Sequence, residues 1–191
     1  HMDLAENDDK SRWLVIVDAK SKWPEVIEMR STSSQKVIEA LKKVFAIHGL
    51  PEEIVSDNGP QFASQEFREY CEQRGIKWTP TPPYHPNSNG EAERMVQTFK
   101  KGLKKGIKDG KHRTQAALDV LFQYRATQHP ATGKSPAEML MGRKLRTALS
   151  IIRSEENEPI NEYREKMADN HKGKAKEREY KIGQEVYIRN Y

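Results

Sequence analysis

Ile54-Val55-Ser56-Asp57-Asn58-Gly59 is a short apolar run that ends in a carboxylate and two turn residues. The pattern predicts a strand whose C-terminal end presents Asp57. A second carboxylate, Glu93, stands where the Gly-marked loop Asn87-Ser88-Asn89-Gly90 runs into a predicted helix. The interval between the two acids is 35 residues. Acids at a strand end and on the first turn of a helix are the oxygen ligands that hard divalent cations need.

Strand-like and helix-like patterns alternate on both sides of this stretch. Short β-branched or alternating runs predict strands over 1–5, 13–18, 25–29, 53–56 and 76–79. Helical spacing predicts one helix that begins at Ser33 or Ser34 and ends at Gly49, and others over 64–74, 90–106, 114–127 and 136–142. Four prolines exclude a regular element between residues 79 and 90. The order predicts an α/β fold: a mixed five-stranded sheet flanked by helices, with a C-terminal helical extension.

The chain divides into three predicted segments. Residues 1–150 form the predicted α/β domain. Residues 151–180 are charged and carry few apolar side chains, which predicts an exposed helical linker. Residues 181–191 alternate like a strand. Because a strand without partners is only marginally stable, we expect this one to be the truncated first strand of a C-terminal module.

The composition excludes several classes of protein. No apolar run reaches the roughly 18 residues of a membrane span, so we expect no membrane partner. The single cysteine, Cys71, excludes an internal disulfide and a cysteine-based zinc site, and we predict a buried structural thiol. The net charge is +5, and eight Lys or Arg residues with one Asp lie between Arg94 and Arg113. That basic helix is either a solvated surface or a phosphate-binding surface, and composition alone does not decide between them.

The acidic residues favour phosphodiester chemistry. Two or three carboxylates brought together repel one another and need a cation between them. Two divalent ions about 3.5–4 Å apart can activate a nucleophilic oxygen and stabilise the leaving oxygen of a phosphodiester. Mg²⁺ fits, because it binds through one or two carboxylates together with phosphate oxygens and water. The sequence has neither a His/Cys set with zinc spacing nor a Gly-x-x-x-x-Gly-Lys loop for a nucleotide.

Five motifs follow one another along the chain: Leu14-Val15-Ile16-Val17-Asp18-Ala19-Lys20-Ser21-Lys22-Trp23-Pro24-Glu25, Ser56-Asp57-Asn58-Gly59-Pro60-Gln61-Phe62, Pro83-Tyr84-His85-Pro86, Asn89-Gly90-Glu91-Ala92-Glu93-Arg94 and Tyr124-Arg125-Ala126-Thr127. Through them the chain resembles, over nearly its whole length, the catalytic core of retroviral and Ty3/gypsy-type retrotransposon integrases. The interval between Asp57 and Glu93 equals the D,D-35-E interval of that family. The resemblance implies an RNase H-like fold, two Mg²⁺ (or Mn²⁺) ions, and 3′-end processing and strand transfer of retroelement DNA. It also implies a homodimer or higher multimer and a nuclear location.

Two acids compete for the first position of the triad. Asp18 has the more conspicuous motif, but the family carries its first metal-binding acid in the preceding strand, in a His-x-Asp-Phe-Ala-Gly-Pro context. Here the matching residues are His1-Met2-Asp3-Leu4-Ala5, with Glu6-Asn7 in place of Gly-Pro. A mid-strand Asp3 can face the place where Asp57 and Glu93 converge, whereas Asp18 at a hairpin corner is predicted to cap the turn. We therefore predict that Asp3, Asp57 and Glu93 are the catalytic and metal-binding residues.

Glu91 competes with Glu93 for the third position. Two residues apart on a helix means about 200° of rotation, so only one of the two side chains can face the metal ions. The 35-residue interval selects Glu93. Glu91 is predicted to face solvent or the first helical turn, where its negative charge is favourable.

Several polar residues match positions where the family contacts DNA. They are Asn58, Tyr84, Ser88, Asn89 and Lys100. Lys100 lies seven residues after Glu93 on the same predicted helical face, where it could reach a phosphate. The alternatives are ordinary ones: a tyrosine packed in a loop, capping Ser and Asn side chains, and a solvated lysine.

Two other functions compete with an active integrase core. One is a domesticated, transposon-derived DNA-binding or interaction module that keeps the fold without catalysis, although retention of all three acids argues against such loss. The other is an RNase H-like nuclease, which the Asn-Gly-Glu-Ala-Glu-Arg motif and the lack of an identifiable fourth acid disfavour.

Overall fold

A mixed sheet forms the centre of the computed structural model, which describes residues 1–7, 10–81 and 90–152. Its strands are β1 (Met2–Glu6), β2 (Arg12–Val17), β3 (Pro24–Met29), β4 (Glu53–Ser56) and β5 (Lys77–Pro80), in the order β3-β2-β1-β4-β5. The first three form an antiparallel meander, and β4 and β5 add in parallel beyond β1. The predicted mixed five-stranded sheet is therefore confirmed.

The described helices are α1 (Ser34–His48), α2 (Pro60–Ala63), α3 (Gln65–Glu72), α4 (Gly90–Lys108), α5 (Arg113–Ala126), α6 (Pro136–Met141) and α7 (Ala148–Ile152). Helices α1, α2 and α3 cover one face of the sheet, and α4 and α5 cover the other. Gly49 ends α1 with φ of 84°, a value that favours glycine, and Ser135 closes a capping box on α6. Within the described ranges no helix is long and apolar enough to cross a membrane.

The structure corrects two boundaries. A short helix, α2, precedes the helix predicted over 64–74, since Gly59-Pro60 starts a turn of helix before Ser64 caps the next one. The strand predicted over 76–79 is β5 and extends to Pro80, which was predicted to be irregular and is tolerated there because β5 is an edge strand.

The chain splits into two compact units, His1–Leu145 and Arg146–Tyr191. Helix α7 is the described element of the second unit. The predicted linker beyond residue 152 and the predicted strand over 181–191 lie outside the described residues, so both stay predictions.

Strand alternation gives the sheet two separate apolar layers. On one face, Met2 and Leu14 pack with α1, α2 and α3 through side chains that include Val37, Leu41, Phe62 and Phe67. On the other face, Ala5 and Val15 pack with α4 and α5 through side chains that include Met95, Phe99, Leu103 and Leu121. Because neighbouring strand residues point to opposite faces, Asp3 shares the α4 face with Ala5. The buried position of Cys71 in the first layer confirms its predicted structural place.

The packing of α4 positions the helix that carries Glu93. Its buried side chains are Ala92, Met95, Val96, Phe99 and Leu103, the predicted apolar stripe. Phe99 lies edge-on to Trp13 of β2, with 5.2 Å between ring centroids. Gly102 lets α5 approach closely, because an added Cβ there would lie 2.5 Å from Cγ2 of Val120. Contacts with both the sheet and α5 therefore fix the position of α4.

Candidate active site

Asp3 occupies the middle of β1. Its side chain is half-buried, on the face covered by α4. The backbone N–H of Leu4 donates to its Oδ1 at 2.7 Å. One carboxylate oxygen is thus held by the backbone, and the other remains available to a ligand.

Asp57 follows the last residue of β4 and lies beside Asp3. In the parallel β1–β4 pair Met2 lies opposite Ser56, so the next residues along the two segments are Asp3 and Asp57. Asp57 is exposed, and its Oδ1 accepts a hydrogen bond from Gly59 N at 3.2 Å. An added Cβ on Gly59 would lie 3.1 Å from that same Oδ1, so the turn after Asp57 leaves little room for a side chain.

Glu93 lies on the first turn of α4, with its side chain exposed. Its neighbour Ala92 is fully buried, which fixes the rotation of the helix and turns Glu93 outward. Lys100 follows on the same helix and is half-buried. Glu93 and Lys100 thus belong to the helix that covers the face of the sheet carrying Asp3.

The electrostatics of Asp3 join these four charges in one site. Burial raises the pKa of Asp3 above its ordinary value, and the Leu4 N–H partly opposes that rise. The negative charges of Asp57 and Glu93 raise the pKa further, and the positive charge of Lys100 lowers it. Asp57, Glu93 and Lys100 are therefore near enough to Asp3 to act on it through space, and the triad itself stays a prediction.

The donor set suits a hard cation. Asp3, Asp57 and Glu93 offer only carboxylate oxygens, which Mg²⁺ and Mn²⁺ prefer over nitrogen or sulfur. In the part of the chain that the structure describes, no group of three or more His, Cys, Asp or Glu side chains is already arranged around one metal position. The chemistry of the three residues therefore fits divalent ions, whereas their side chains would still have to converge on them.

The Asp18 carboxylate is held by hydrogen bonds within its own turn. Ser21 donates to its Oδ2 from the hydroxyl at 2.6 Å and from the backbone N–H at 2.7 Å. The corner is closed further by backbone bonds from Asp18 N to Trp23 O and from Lys22 N to Asp18 O. Asp18 therefore caps the β2–β3 turn, as its place at a hairpin corner predicts.

Glu91 is not simply solvated. Lys22 Nζ lies 2.9 Å from Glu91 Oε1, and the two side chains are only 13% and 29% exposed. Lys22 sits in the β2–β3 turn with φ of 62° and also donates to Ala19 O at 2.7 Å. The ion pair ties that turn to the first turn of α4, two residues from Glu93. No pattern in the sequence pairs residues 69 positions apart, so sequence reasoning missed it.

The first and last motifs meet in space. Arg125 donates to Pro24 O at 2.8 and 3.2 Å and to Glu25 Oε2 at 3.0 Å. Its guanidinium also lies 4.2 Å from the ring centroid of Trp23. Glu25 accepts from Trp23 Nε1 as well and lies 2.9 Å from His48 Nε2. These motif residues brace β3 against α5 and α1, so they are part of the scaffold of the site.

The predicted DNA contacts divide into two sets. Asn58 is exposed directly after Asp57, and Lys100 lies within electrostatic reach of Asp3. Tyr84, Ser88 and Asn89 lie outside the described residues, so their roles stay predictions. A cavity of about 590 Å³ lies elsewhere, lined by residues that include Trp23, Phe45 and Leu140, and none of the three acids lines it.

Comparison with known proteins identifies the family. Residues 1–86 match the integrase core domain. An uncharacterized protein of Caenorhabditis elegans is 36% identical over 195 aligned positions, which cover 98% of this chain and 15% of that protein. The Gag-Pol polyprotein of Walleye dermal sarcoma virus is 35% identical over 137 positions, which cover 70% of this chain and 8% of the polyprotein. The chain thus spans a small part of the curated relatives that it matches.

Solved structures share the fold. A chain of the simian T-cell lymphotropic virus intasome in complex with PP2A regulatory subunit B56 gamma is 26% identical, with a TM-score of 0.66 over 77% of this chain and 54% of that chain. The HTLV-2 integrase catalytic core domain in complex with magnesium, in a trimeric form, is 25% identical, with a TM-score of 0.61 over 73% of this chain and 92% of that one. The chain therefore carries an integrase core domain, and its fold is the RNase H-like fold of integrase catalytic cores.

Proposed function

We propose that this chain is the catalytic core of an integrase that processes the 3′ ends of retroelement DNA and joins them to target DNA with two divalent ions. The observation that carries the proposal is the register of β1 and β4, which sets Asp3 beside Asp57 under the helix that carries Glu93 and Lys100. The effect of these charges on the pKa of Asp3 supports it. The magnesium complex of the HTLV-2 integrase core supports the choice of ion.

Each residue has a distinct part in this mechanism. Asp3, Asp57 and Glu93 would hold the ions, and two such ions supply Lewis acidity to the attacking and leaving oxygens of a phosphodiester. Lys100 is placed to hold a phosphate near the acids, and Asn58 offers an amide to the same strand. The Lys22–Glu91 ion pair keeps the first turn of α4, and with it Glu93, in position.

The raised pKa of Asp3 couples ion binding to pH. A carboxylate must be ionised to bind a divalent ion, so binding releases the proton that burial and the two neighbouring acids favour. Ion affinity therefore falls as the pH is lowered through the raised pKa of Asp3. Metal-dependent activity should follow the same direction.

The basic side of α4 supplies a surface for the DNA backbone. Lys101, Lys104, Lys105 and Lys108 are exposed on it. Their contacts with phosphates predict roughly micromolar or weaker non-specific binding that weakens steeply with salt. An affinity for DNA that does not change with salt would contradict this surface. A nuclear location is part of the same proposal, since it places the protein with chromosomal DNA.

Self-association is the second part of the proposal. On α5, Leu118 is 55% exposed and Phe122 is 45% exposed, and their four-residue spacing places them on one face. Exposed apolar side chains grouped in this way are typical of protein interfaces. We expect Leu118→Lys with Phe122→Lys to convert a dimer to a monomer in light scattering, whereas Lys101→Glu leaves the mass unchanged. A wild-type monomer at high concentration would contradict this interface.

Catalysis is tested with a branched DNA that the core can resolve in the presence of Mg²⁺ or Mn²⁺. Glu93→Gln removes one ion ligand and should lower the rate at least about 100-fold, as loss of a transition-state contact does. Glu91→Gln breaks the ion pair with Lys22 and should cost less than about tenfold, because it acts only through position. Glu66→Gln, an exposed acid on the other face of the sheet, is the matched control and should leave the rate unchanged.

Two outcomes would change the conclusion. Equal rates in the wild type, Asp57→Asn and Glu93→Gln would contradict the proposal that this chain is a catalytic integrase core. Absence of metal-dependent activity, with DNA binding retained, would favour the domesticated DNA-binding module.

A further inference from the structure

A second group of charged residues surrounds a cavity at the other end of the sheet. The cavity has a volume of about 450 Å³ and is lined by Lys10, Ser11, Arg12, Glu28, Met29, Arg30 and Arg113. These residues come from the β1–β2 turn, the facing ends of β2 and β3, and the first residue of α5. The fold therefore brings four cationic side chains from separate parts of the sequence to one place.

The lining is strongly cationic. Of the seven described residues that line it, four are Lys or Arg and one, Glu28, is an acid. Glu28 Oε1 pairs with Arg113 at 2.7 Å. Arg12 lies 3.5 Å from Glu6, and the side chains of Arg12 and Glu6 are both largely exposed. Among the described residues, Arg30 makes no ion pair with an acid. Like charges held near each other repel, and an anion bound between them would relieve that repulsion.

This cavity is separate from the candidate active site. Arg12 pairs with Met29 at one end of the meander, while Asp3 pairs with Val15 three positions further along β2. Three strand residues correspond to about 10 Å. Neither Asp57 nor Glu93 lines the cavity. Its charges are therefore not explained by catalysis.

We propose that this cavity binds a phosphate group. Arginine forks match phosphate oxygens in a bidentate geometry, and three arginines line this cavity, of which Arg12 and Arg113 also pair with acids. Arg113 is also the first residue of α5, and the partial positive charge at the N-terminal end of that helix favours a bound anion.

A nucleic-acid strand is one source of such a phosphate, and free phosphate is the other. The exposed lysines of α4 lead along the helix from the acids toward Lys108, and Lys111 then precedes Arg113. A DNA backbone on α4 would thus be directed toward the cavity. This source rests on the proposed function, whereas binding of free phosphate does not.

Binding of phosphate can be followed by NMR on the 191-residue chain with ¹⁵N-labelled arginine. Addition of inorganic phosphate should shift the Nε–Hε signals of Arg12, Arg30 and Arg113 in a saturable way, while chloride at the same ionic strength should not. The double variant Arg12→Gln, Arg30→Gln should remove saturation of the Arg113 signal. Arg143→Gln changes an exposed arginine outside the cavity and should leave the shifts as in the wild type.

The wild-type titration and the double variant each decide the proposal. If the arginine signals move no more with phosphate than with chloride, or if the double variant still saturates, the proposal is overturned. Lys10 is left unchanged in this design because Asp8 and Asp9 precede it in the sequence.

DNA binding then distinguishes the two sources. If a DNA strand supplies the phosphate, the slope of log affinity against log salt should become shallower in the double variant, by the amount that corresponds to about one phosphate contact. Arg143→Gln should keep the wild-type slope. If the phosphate shifts saturate but the DNA slope of the double variant equals that of Arg143→Gln, free phosphate is the ligand. Loss of catalysis in Glu93→Gln leaves both measurements unaffected, so a failure here is separate from a failure of the proposed function.

Discussion

Asp3 and Asp18 lie on the same antiparallel meander, yet their surroundings change the pKa of each in opposite directions. Burial raises the pKa of Asp3, and Asp57 and Glu93 add to the rise. Burial also acts to raise the pKa of Asp18, but the lowering effects, led by hydrogen bonds from the hydroxyl and the backbone N–H of Ser21, together outweigh it, and the net shift is downward. One acid faces other acids, and the other faces donors.

This difference separates a candidate functional acid from a structural one. An acid whose ionised form is already stabilised by local donors gains little from a cation, and its place is to hold a turn. An acid kept next to other acids is unfavourable for the fold and becomes favourable when a cation binds. The more conspicuous sequence motif thus belongs to the structural residue.

The largest expected difference is in catalysis. Asp3→Asn should lower metal-dependent resolution of branched DNA at least about 100-fold, or about 2.7 kcal/mol of barrier, because it removes an ion ligand. Asp18→Asn should stay within about threefold, since the amide oxygen can still accept from Ser21. Rates measured at saturating Mn²⁺ compare the two. An equal loss in both would make Asp18 the first acid.

The next effect is on stability, at the turn. Ser21 is 2% exposed, so Asp18→Ala leaves its buried N–H and hydroxyl without their acceptor, at a cost of about 1–2 kcal/mol in the free energy of unfolding. Because the pKa of Asp18 is lowered in the folded state, its contribution is present above the ordinary value of 3.8 and disappears as the pH falls through the lowered pKa. Urea unfolding at pH 7 and at pH 3 measures both.

Asp109→Ala is the matched control for that variant. Asp109 is exposed at the end of α4, and its removal should change the free energy of unfolding by less than about 0.5 kcal/mol. If Asp18→Ala were no more destabilising than this control, the turn would not depend on Asp18.

Mg²⁺ should separate the two acids by ligand linkage. An ion at ten times its dissociation constant raises the free energy of unfolding by about 1.4 kcal/mol if it binds only the folded state. We expect that gain in the wild type and in Asp18→Asn, and we expect it to be much smaller in Asp3→Asn. Thermal unfolding with and without Mg²⁺, against equal ionic strength of NaCl, tests it. Stabilisation of Asp3→Asn equal to that of the wild type would place the ion elsewhere.

The smallest effect concerns Asp3 without metal. An acid with a raised pKa in the folded state destabilises that state once the pH is above its ordinary pKa. In EDTA at pH 7, Asp3→Asn should therefore raise the free energy of unfolding, by less than about 1 kcal/mol, and the gain should vanish as the pH falls to about 3.8. A destabilised Asp3→Asn would mean that the charge of Asp3 has a stabilising partner.

Local pattern predicted most of the fold because its signals act over a few residues. The apolar stripe of α4, the capping box of Ser135 and the Gly49 stop are read from spacing and turn chemistry. The same signals failed at α2 and at Pro80. Pro60 starts α2, whereas Pro80 ends the edge strand β5. Only strand pairing distinguishes these two uses of proline.

The sequence by itself determined the order of the elements, the 35-residue interval from Asp57 to Glu93, and the family resemblance. These depend on neighbours along the chain or on motif spacing. Only the tertiary structure decided which face of β1 carries Asp3, that Lys22 pairs with Glu91, and that four cations surround one cavity. Contacts of this kind join residues far apart in the chain, and their electrostatics depend on distance and burial, which no linear pattern contains.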